Sequence, residues 1–412
     1  MSRLLVIGCV WPEPNSSAAG SRMFQLLQFF KAENYEITFV SAAARSEFAI
    51  DLAKLNIASE VVKLNHPSFD EFLKNQQPRL VLFDRFMTEE QFGWRVDKFA
   101  PEAVKILDTE DLHFLRKTRT EAYKKNIPAK NLYFDSDVTK REIASIYRCD
   151  LSLIISEVEM ELLQDSFNIP GQLLHYLPFL LDPISEDKIA ELPQFEERKN
   201  FISIGNFLHE PNWNAVLQLK ENIWPLIREK LSSTQLHIYG AYPSQKVWNL
   251  HNEKDGFIVK GRAGDAEKLM QQTRLCLAPI QFGAGLKGKL IQAMQFGTPS
   301  ITSTVGSEGI AGKLDWNGSI CNTPEDFAMA AVKLYTDKDS WNEANKNGYK
   351  IINSRFNKNS HSATFSDKIN TLIANLTERR QQNFIGKILQ HHQHRSTYFM
   401  AKFIEEKERK KL

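Results

Sequence analysis

Short apolar runs alternate with amphipathic stretches along the first half of the chain. LLVIGC, EITFVS, VVKL, RLVLFD, AVKILD and LSLIIS are short and apolar, which predicts buried strands. Between them, stretches such as AGSRMFQLLQFFK, SFDEFLKN and TKREIASIYR repeat apolar residues every three or four positions, which predicts helices. Strands that alternate with helices indicate βαβ units, and therefore a parallel sheet covered on both faces.

The alternation breaks once and then starts again. The stretch LPFLLDPISEDKIAELPQFEERKN contains three prolines and many charges, which predicts a linker. Beyond it, NFISIG, QLHIYG, GFIVKG, RLCLAPI and PSITST predict the strands of a second unit, and from Pro324 the pattern is mostly helical. We therefore predict an α/β protein with two Rossmann-like, doubly wound domains at 1–182 and 199–355, a linker at 183–198, and C-terminal helices at 356–412 that cross back.

Two such domains imply a cleft between them. In open parallel sheets, ligands bind at the carboxyl ends of the strands. The loops that follow strands in both halves of the chain are therefore the first places to look for a site.

The totals exclude several classes of protein. The chain has 412 residues, too many for one ordinary core, and its net charge of +2 does not suggest nucleic-acid binding. Its four cysteines lie far apart without a C-x-x-C motif, so we expect no disulfide framework and a cytoplasmic location. At the N-terminus we expect a β-strand rather than a signal peptide, because Trp11 and Pro12 interrupt a short apolar run. No run reaches the ~18 to 20 apolar residues that spanning a bilayer requires.

The stretch FGAGLKGKL, between a predicted strand and a predicted helix, matches two phosphate-binding motifs. It fits the dinucleotide fingerprint G-x-G-x-x-G from Gly283 to Gly288, with Glu308 lying 20 residues further on. It also fits G-x-x-x-x-G-K, but Leu290 stands where a P-loop needs Ser or Thr to hold Mg²⁺. The dinucleotide interpretation stays open, although its fingerprint normally lies in the first βα turn and here four predicted strands of the second unit come before it.

A third interpretation is a diphosphate bound by three features of this loop together. Glycines let backbone N–H groups approach an anion, and the N-terminus of the following helix attracts one. Lys287 and Lys289 add two positive charges that phosphate oxygens would bind. We favour this interpretation because a dinucleotide fingerprint does not normally include two lysines.

Five segments, in order along the chain, resemble glycosyltransferase family 4, in the branch whose donor loop has the sequence G-A-G-x-K-G-K. They are GCVWPEPNSSAAGSRMFQLL, ILDTEDLHFLRKTR, CDLSLIISEVEMELL, FISIGNFLHEPNWNAVLQLKENIWPLI and APIQFGAGLKGKLIQAMQFGTPSITSTVGSEGI. The resemblance implies the GT-B fold, with a nucleotide-sugar donor on the C-terminal domain and the acceptor on the N-terminal domain. It also implies a retaining transfer that requires neither a metal ion nor another cofactor.

The resemblance implies a donor site in the second domain. Its members are Gly205, Asn206, Gly283, Gly285, Lys287, Gly288, Lys289, Gln292 and Glu308.

The chain departs from the wider family at four positions of this site. Ala284 and Gln292 stand where the family has two glutamates, the second of which binds the ribose. Asn206 and Asn212 stand where the family has an Arg and a Lys. Lys287 and Lys289 are the natural replacements for these two missing cations.

Polar residues after strands of the first domain are candidates for chemistry. In DTEDLHFLR, Asp108, Glu110 and His113 follow an apolar run, where they could orient an acceptor or remove its proton. Helix capping is the competing interpretation for Asp108. Glu159, which follows Ser156, is interpreted as part of a capped helix start.

The loop after the first predicted strand is the candidate acceptor and phosphate side. Ser17 and Gly20 lead into the first predicted helix, and Arg22 lies in its first turn. A cation in that turn is unfavourable to the helix dipole, so we expect an anion near Arg22.

The C-terminal segment is basic and amphipathic. From Arg379 onward it contains nine Lys/Arg and three Asp/Glu, a local charge of +6, and apolar residues from Phe384 onward recur at helical spacing. Such a helix is typical of an element bound to an anionic membrane surface, here the inner face of the membrane. The alternative is a helix that packs across the two domains.

The sequence therefore predicts a retaining glycosyltransferase. Its substrates would be a UDP- or GDP-sugar and a glycan or lipid-linked acceptor, in the synthesis of bacterial surface polysaccharide or glycan. Two alternatives stay open: an NAD(P)-dependent oxidoreductase that uses the motif at 283–288, and a non-catalytic GT-B protein, which Ala284 favours.

Overall fold

The computed structural model describes residues 2–128 and 131–409. Its strands are β1 (Arg3–Gly8), β2 (Glu36–Ser41), β3 (Ala58–Val61), β4 (Leu80–Asp84), β5 (Val104–Asp108), β6 (Leu151–Ile154), β7 (Leu174–Tyr176), β8 (Lys199–Ile204), β9 (Leu236–Tyr239), β10 (Phe257–Gly261), β11 (Thr273–Ala278), β12 (Ser300–Thr302) and β13 (Gly318–Ile320).

Helices separate most consecutive strands as far as β13, and within the described residues only helices follow it. The helices are α1 (Ala18–Ala32), α2 (Ser68–Gln76), α3 (Phe86–Phe99), α4 (His113–Lys124), α5 (Asp137–Arg148), α6 (Glu157–Asp165), α7 (Glu186–Ala190), α8 (Glu210–Gln218), α9 (Trp224–Lys230), α10 (Gln245–Trp248), α11 (Ala266–Gln272), α12 (Gly288–Gln295), α13 (Thr304–Ser307), α14 (Pro324–Thr336), α15 (Lys338–Arg355), α16 (Lys358–Ala374), α17 (Leu376–Gln382) and α18 (Phe384–Arg409).

Two parallel sheets organise the molecule. The first has the strand order β3-β2-β1-β4-β5-β6-β7 and the second has the order β10-β9-β8-β11-β12-β13. All the paired strands in both sheets are parallel. The predicted fold class, an α/β protein with two doubly wound sheets and a helical C-terminal tail, is confirmed.

Strand β1 illustrates why the predicted strands are continuous apolar runs. Leu4 and Val6 face a core cluster that includes α1 and α16, whereas Leu5 and Ile7 face a second cluster that includes α2 and α3. Because successive side chains point to opposite faces, a strand covered on both faces must be apolar at every position.

Strand prediction failed at the edges of the sheets. The run VVKL was predicted as a strand, but β3 ends at Val61, the run's first residue, and Val61 and Leu64 are exposed. The short strands β7 and β13 were not predicted. Edge strands bury fewer side chains, so their sequences carry a weaker apolar signal.

The C-terminal helices return to the first domain. Phe365 of α16 packs against Phe29 of α1, with ring centroids 4.8 Å apart. Further on, α18 lies across α3 and α5, and Ala401 is fully buried there. The tail therefore covers the first domain rather than both domains.

No helix within the described ranges is long and apolar enough to cross a membrane. The four cysteines are all free thiols.

An ion pair joins the C-terminal end of α18 to α3. The guanidinium of Arg95, which is 1% exposed, donates to Glu405 Oε1 at 2.7 Å and also pairs with Asp70. Glu405→Gln should lower the free energy of unfolding by about 1.5–3 kcal/mol, the value of a hydrogen bond to a charged group. Urea denaturation measures this change.

Glu406→Gln is the matched control, because Glu406 lies next in the chain and its side chain is 57% exposed. We expect a change below about 0.5 kcal/mol for this variant. Equal effects of the two substitutions would show that the pair with Arg95 does not hold the tail.

Candidate active site

Both sheets place their topological switch points at the same cleft. In the second sheet, β8 and β11 are neighbours, but the chain leaves β8 towards β9 and leaves β11 towards β12. In the first sheet, β1 and β4 are neighbours, but the chain leaves β1 towards β2 and leaves β4 towards β5. The loops after β1 and β8 touch, since Asn206 Nδ2 donates to Ser16 O at 3.3 Å. A ligand in an open α/β sheet is expected at such a point.

The N-termini of two helices meet at this cleft. A Cβ added to Gly288, the first residue of α12, would lie 3.0 Å from the Cβ of Ala18, the first residue of α1. Neither helix carries an acidic residue in its first turn. Each N-terminus presents unpaired N–H groups and a partial positive charge, so the two ends together favour an anion beside them.

Lys289 adds a full positive charge to this place. Its Nζ donates to Asn212 Oδ1 at 2.7 Å, and Asn212 in turn donates to Asn206 O. A Cβ added to Gly205 would lie 2.7 Å from both Asn212 Cγ and Lys289 Nζ, so a larger residue there would displace these two side chains. Lys289 thus lies beside Asn212, the position at which the resemblance implied a missing cation.

Lys287 lies differently from the prediction. It was predicted to bind phosphate oxygens, but it is only 9% exposed and its Nζ donates to Gly285 O at 2.8 Å. The ammonium group thus bonds to a carbonyl of its own loop. Burial lowers the pKa of Lys287 and of Lys289 to about 8. Bound phosphate would favour the charged form of both.

The glycines of this loop accommodate the other domain. Gly285 has φ 63°, and a Cβ added to it would lie 2.8 Å from the Cβ of Asp111 in the first domain. Its N–H donates to Glu159 Oε1 at 2.7 Å. That N–H is therefore already bonded, so the prediction that the glycines chiefly expose N–H groups to a phosphate does not hold at Gly285.

A second contact joins the same loop to the first domain. Arg119 of α4 donates to both carboxylate oxygens of Glu308, at 2.6 and 2.9 Å, and to Gly283 O at 2.9 Å. Although burial opposes ionisation, Arg119 holds the pKa of Glu308 below its ordinary value. Glu308, a member of the predicted donor site, is thus paired with Arg119 across the cleft.

Two other donor-side positions are Ala284, within the loop, and Gln292, in the helix that follows it. Ala284 packs against the core cluster of the first domain. Gln292 lies in the second turn of α12 and is half-buried. Of these two residues, only Gln292 lies on α12, the helix that follows the loop predicted to bind phosphate.

Asp108 is placed where it cannot touch a substrate directly. It is fully buried at the end of β5, where its Oδ1 accepts from Arg22 Nε at 2.9 Å and lies 2.9 Å from Arg22 Nη2 as an ion-pair contact. Burial raises the pKa of Asp108, and Arg22 opposes this. The anion expected near Arg22 is this carboxylate, and both side chains are interior rather than at the cleft.

Glu110 combines a strained backbone with a perturbed carboxyl group. Its φ is 64°, which is unusual for a residue with a Cβ, and it is 8% exposed. Burial and then Asp108 raise the pKa of Glu110 well above its ordinary value, while Arg85 opposes them. Its Oε1 lacks a partner among the described residues. Such strain and such shifts concentrate at functional sites.

His113 begins α4 and is neutral. Burial lowers its pKa to about 4, and its Nε2 lies 3.6 Å from Asp111 Oδ1. Asp111 itself is paired with Arg116. A neutral imidazole beside a carboxylate can accept a proton from a hydroxyl group.

Ser17 and Gly20 have local roles in α1. Ser17 is the N-cap residue, and its Oγ accepts from the N–H of Gly20 at 3.0 Å. A Cβ added to Gly20 would lie 2.3 Å from Glu13 O, so this turn is tight against its own loop. Both residues build the helix end that faces the cleft.

Three residues of the site were not predicted from the sequence. Arg119 and Glu159 contact the donor loop from the first domain, and Glu142 accepts the N–H groups of His113 and Phe114 at 3.1 and 2.8 Å. Glu159 was interpreted as part of a helix start, whereas it is 1% exposed and accepts a hydrogen bond from the other domain. No local pattern marks these residues, because their partners are distant in sequence.

Comparisons with known proteins bear on the second domain and on the fold. The family model "Glycosyl transferases group 1" matches residues 198–337. No curated protein sequence matches the chain.

Solved structures match nearly the whole chain. Sucrose-phosphate synthase from Thermosynechococcus elongatus has a TM-score of 0.64 and 16% identity, and the match covers 91% of this chain and 100% of that one. HepE from Anabaena in complex with UDP-glucose has a TM-score of 0.66 and 11% identity, covering 90% and 100%. TarM from S. aureus has a TM-score of 0.65 and 10% identity, covering 90% and 100%. The chain has the GT-B fold. At these identities the likeness establishes the fold alone.

Glu142 makes the stability of this site depend on pH. Burial raises its pKa to about 8, so between about pH 4.5 and 8 the folded protein holds a proton that the unfolded chain has lost. The contribution of Glu142 to stability is therefore full below pH 4.5 and is lost as pH rises through 8. Glu142→Gln should remove this pH-dependent contribution. The decrease in the free energy of unfolding that the substitution causes should therefore be smaller at pH 8.5 than at pH 5. Urea denaturation at the two pH values measures it.

Glu121→Gln, at an exposed position of α4, is the control. Its difference from wild type should be the same at both pH values. A cost of Glu142→Gln that is equal at pH 5 and pH 8.5 would contradict the protonated state assigned to Glu142.

Proposed function

We propose that the protein is a retaining glycosyltransferase that moves a sugar from a UDP- or GDP-sugar to a glycan or lipid-linked acceptor. The observation that carries the proposal is the meeting of the N-termini of α1 and α12 beside Lys289. Two helix ends and an ammonium group favour a doubly charged anion, which a nucleoside diphosphate supplies. The family match over residues 198–337 and the GT-B fold support the same conclusion.

The second domain would bind the donor. The diphosphate would lie at the N-terminus of α12, with Lys289 as its charged partner and Gly205 and Asn206 beside it. Gln292 would accept from a ribose hydroxyl as a neutral amide. The structure of HepE holds UDP-glucose, and that of TarM holds UDP and a glycerol-linked GlcNAc, which makes both a UDP-sugar donor and a glycan acceptor reasonable.

The first domain would bind the acceptor near the start of α4. His113, neutral at physiological pH, would accept the proton of the acceptor hydroxyl, and Glu110, whose Oε1 lacks a partner among the described residues, would hydrogen-bond the acceptor. Asp108 would act indirectly by fixing Arg22. We propose that no metal ion is required, which activity in EDTA tests, and that the configuration of the transferred sugar is retained, which NMR of the product tests.

No specific contact among the described residues supports either alternative, an NAD(P)-dependent oxidoreductase or a non-catalytic GT-B protein. A dinucleotide fingerprint would use the N–H groups of 283–288 for a pyrophosphate, but the Gly285 N–H is bonded to Glu159. A non-catalytic protein was suggested by Ala284, which packs against the first domain. Hydrolysis of UDP-glucose or GDP-mannose in the absence of an acceptor would argue against that alternative.

Nucleotide binding tests the proposal directly. UDP or GDP should raise the melting temperature of the wild-type protein, and NAD(H) should not. Lys289→Ala should weaken nucleoside diphosphate binding about 10- to 100-fold, equivalent to about 1.5–3 kcal/mol. Isothermal titration measures the affinity.

Lys268→Ala is the matched control, because Lys268 is an exposed lysine on α11 of the same domain. It should bind like wild type. Stabilisation by NAD(H) alone, or unchanged UDP and GDP affinity in Lys289→Ala, would overturn the proposed donor site.

We further propose that α18 binds an anionic membrane surface. One face of this helix packs on the first domain through Ala401 and Tyr398. The outward face leaves large apolar side chains exposed, namely Phe384, Ile385, Ile388, Phe399, Met400 and Phe403. Basic residues along the same helix, such as Lys387 and Arg395, would contact anionic headgroups.

Two substitutions on the outward face test the membrane proposal without exposing the core. Phe399→Ser combined with Phe403→Ser should abolish sedimentation with phosphatidylglycerol vesicles at low salt and leave UDP affinity unchanged. Met329→Ser, an exposed position of α14, is the control and should sediment like wild type. Failure of the wild-type protein to sediment would refute the membrane proposal and leave the donor site untouched.

A further inference from the structure

The tip of the donor loop, residues 283–287, is inserted into the first domain. Ala284 packs against the core cluster of that domain, and Leu286, which is 7% exposed, packs in a cluster with Ile155 and Phe179. Gly283 and Gly285 have φ of 145° and 63°, so the tip follows a backbone path that favours glycine. The shape of the loop therefore depends on the domain that surrounds it.

Glu159 is the buried group that receives the loop tip. Its Oε1 accepts from Gly285 N at 2.7 Å and from Leu112 N at 3.3 Å, and the residue is 1% exposed. One carboxylate oxygen thus joins the loop of the second domain to the loop that precedes α4. That second loop holds Asp111, and α4 begins with His113.

We propose that Glu159 is a positioning residue, which fixes the donor loop against the acceptor side when the two domains are closed. The proposal rests on the proposed function, because it assigns the loop to the donor and the start of α4 to the acceptor. Closure would then set the distance between donor and acceptor through a single carboxylate.

Two backbone N–H groups offset part of the cost of burying Glu159, because both bond to its Oε1. Its Oε2 has no partner among the described residues, and burial raises the pKa of Glu159 to about 7 although these two bonds oppose the shift. Arg119 reinforces the arrangement from α4 by binding Gly283 O and the carboxylate of Glu308. With the Gly285 N–H held by Glu159, the N-terminus of α12 and Lys289 remain available for phosphates.

Two substitutions of Glu159 distinguish a positioning role from a general effect on stability. The amide oxygen of Glu159→Gln can still accept the Gly285 N–H, whereas Glu159→Ala cannot. Hydrogen exchange of a peptide that covers 283–289 should be about 10- to 100-fold faster in Glu159→Ala and nearer to wild type in Glu159→Gln. Glu161→Gln, an exposed position of α6, is the control and should exchange like wild type.

Kinetics supply the second readout. With UDP-glucose as the probe, kcat for turnover should fall about 10- to 100-fold in Glu159→Ala, while KM and UDP affinity change less than about threefold. Glu159→Gln should recover part of kcat.

Hydrogen exchange decides the proposal even if the proposed function fails. If wild type neither binds UDP nor turns over UDP-glucose, the donor assignment is wrong, whereas the effect of Glu159→Ala on exchange at 283–289 still reports the contact. Wild-type exchange of this peptide in Glu159→Ala would overturn the role of Glu159, as would tighter UDP binding by that variant.

Discussion

The donor loop is fixed by close contacts with the first domain. Gly285 approaches Asp111 so closely that a Cβ would not fit, and its N–H is held by Glu159. On the other side the same loop leads directly into α12, whose N-terminus faces α1. Glycine is needed here for close approach between protein segments at least as much as for approach to a ligand. The bond to Glu159 also makes the Gly285 N–H unavailable to a ligand.

Electrostatics divide the cleft into two regions. Around α12 and α1, two helix N-termini and Lys289 concentrate positive charge, and the first turns carry no acidic residue. Deeper in the first domain, buried carboxyl groups such as Glu110 and Glu142 have raised pKa values because burial disfavours their charged forms. The first region suits an anion such as a nucleoside diphosphate, and in the second burial favours the protonated form of the carboxyl groups.

The fold was predictable because its signals are local. A strand covered on both faces is apolar throughout, as β1 shows, and a helix has its own period, so the alternation of the two indicates a doubly wound sheet. The edge strand β3 was misplaced because its exposed side chains give no such signal. The candidate site was predictable where residues are close in sequence, as with Gly288 and Lys289. The parts of the site whose partners are distant in sequence, such as the pair of Arg119 and Glu308, were not predictable. The hydrogen bond from Lys287 to Gly285 O was not predictable either, because it depends on the direction of that carbonyl group in the folded loop.

A crystal structure of the protein with UDP would test the central claim most directly. The account predicts phosphate oxygens within hydrogen-bond distance of Lys289 Nζ and of N–H groups in the first turn of α12. It also predicts that the Gly285 N–H remains on Glu159 while UDP is bound. A diphosphate that takes the Gly285 N–H from Glu159, or one that binds away from the N-terminus of α12, would contradict the account.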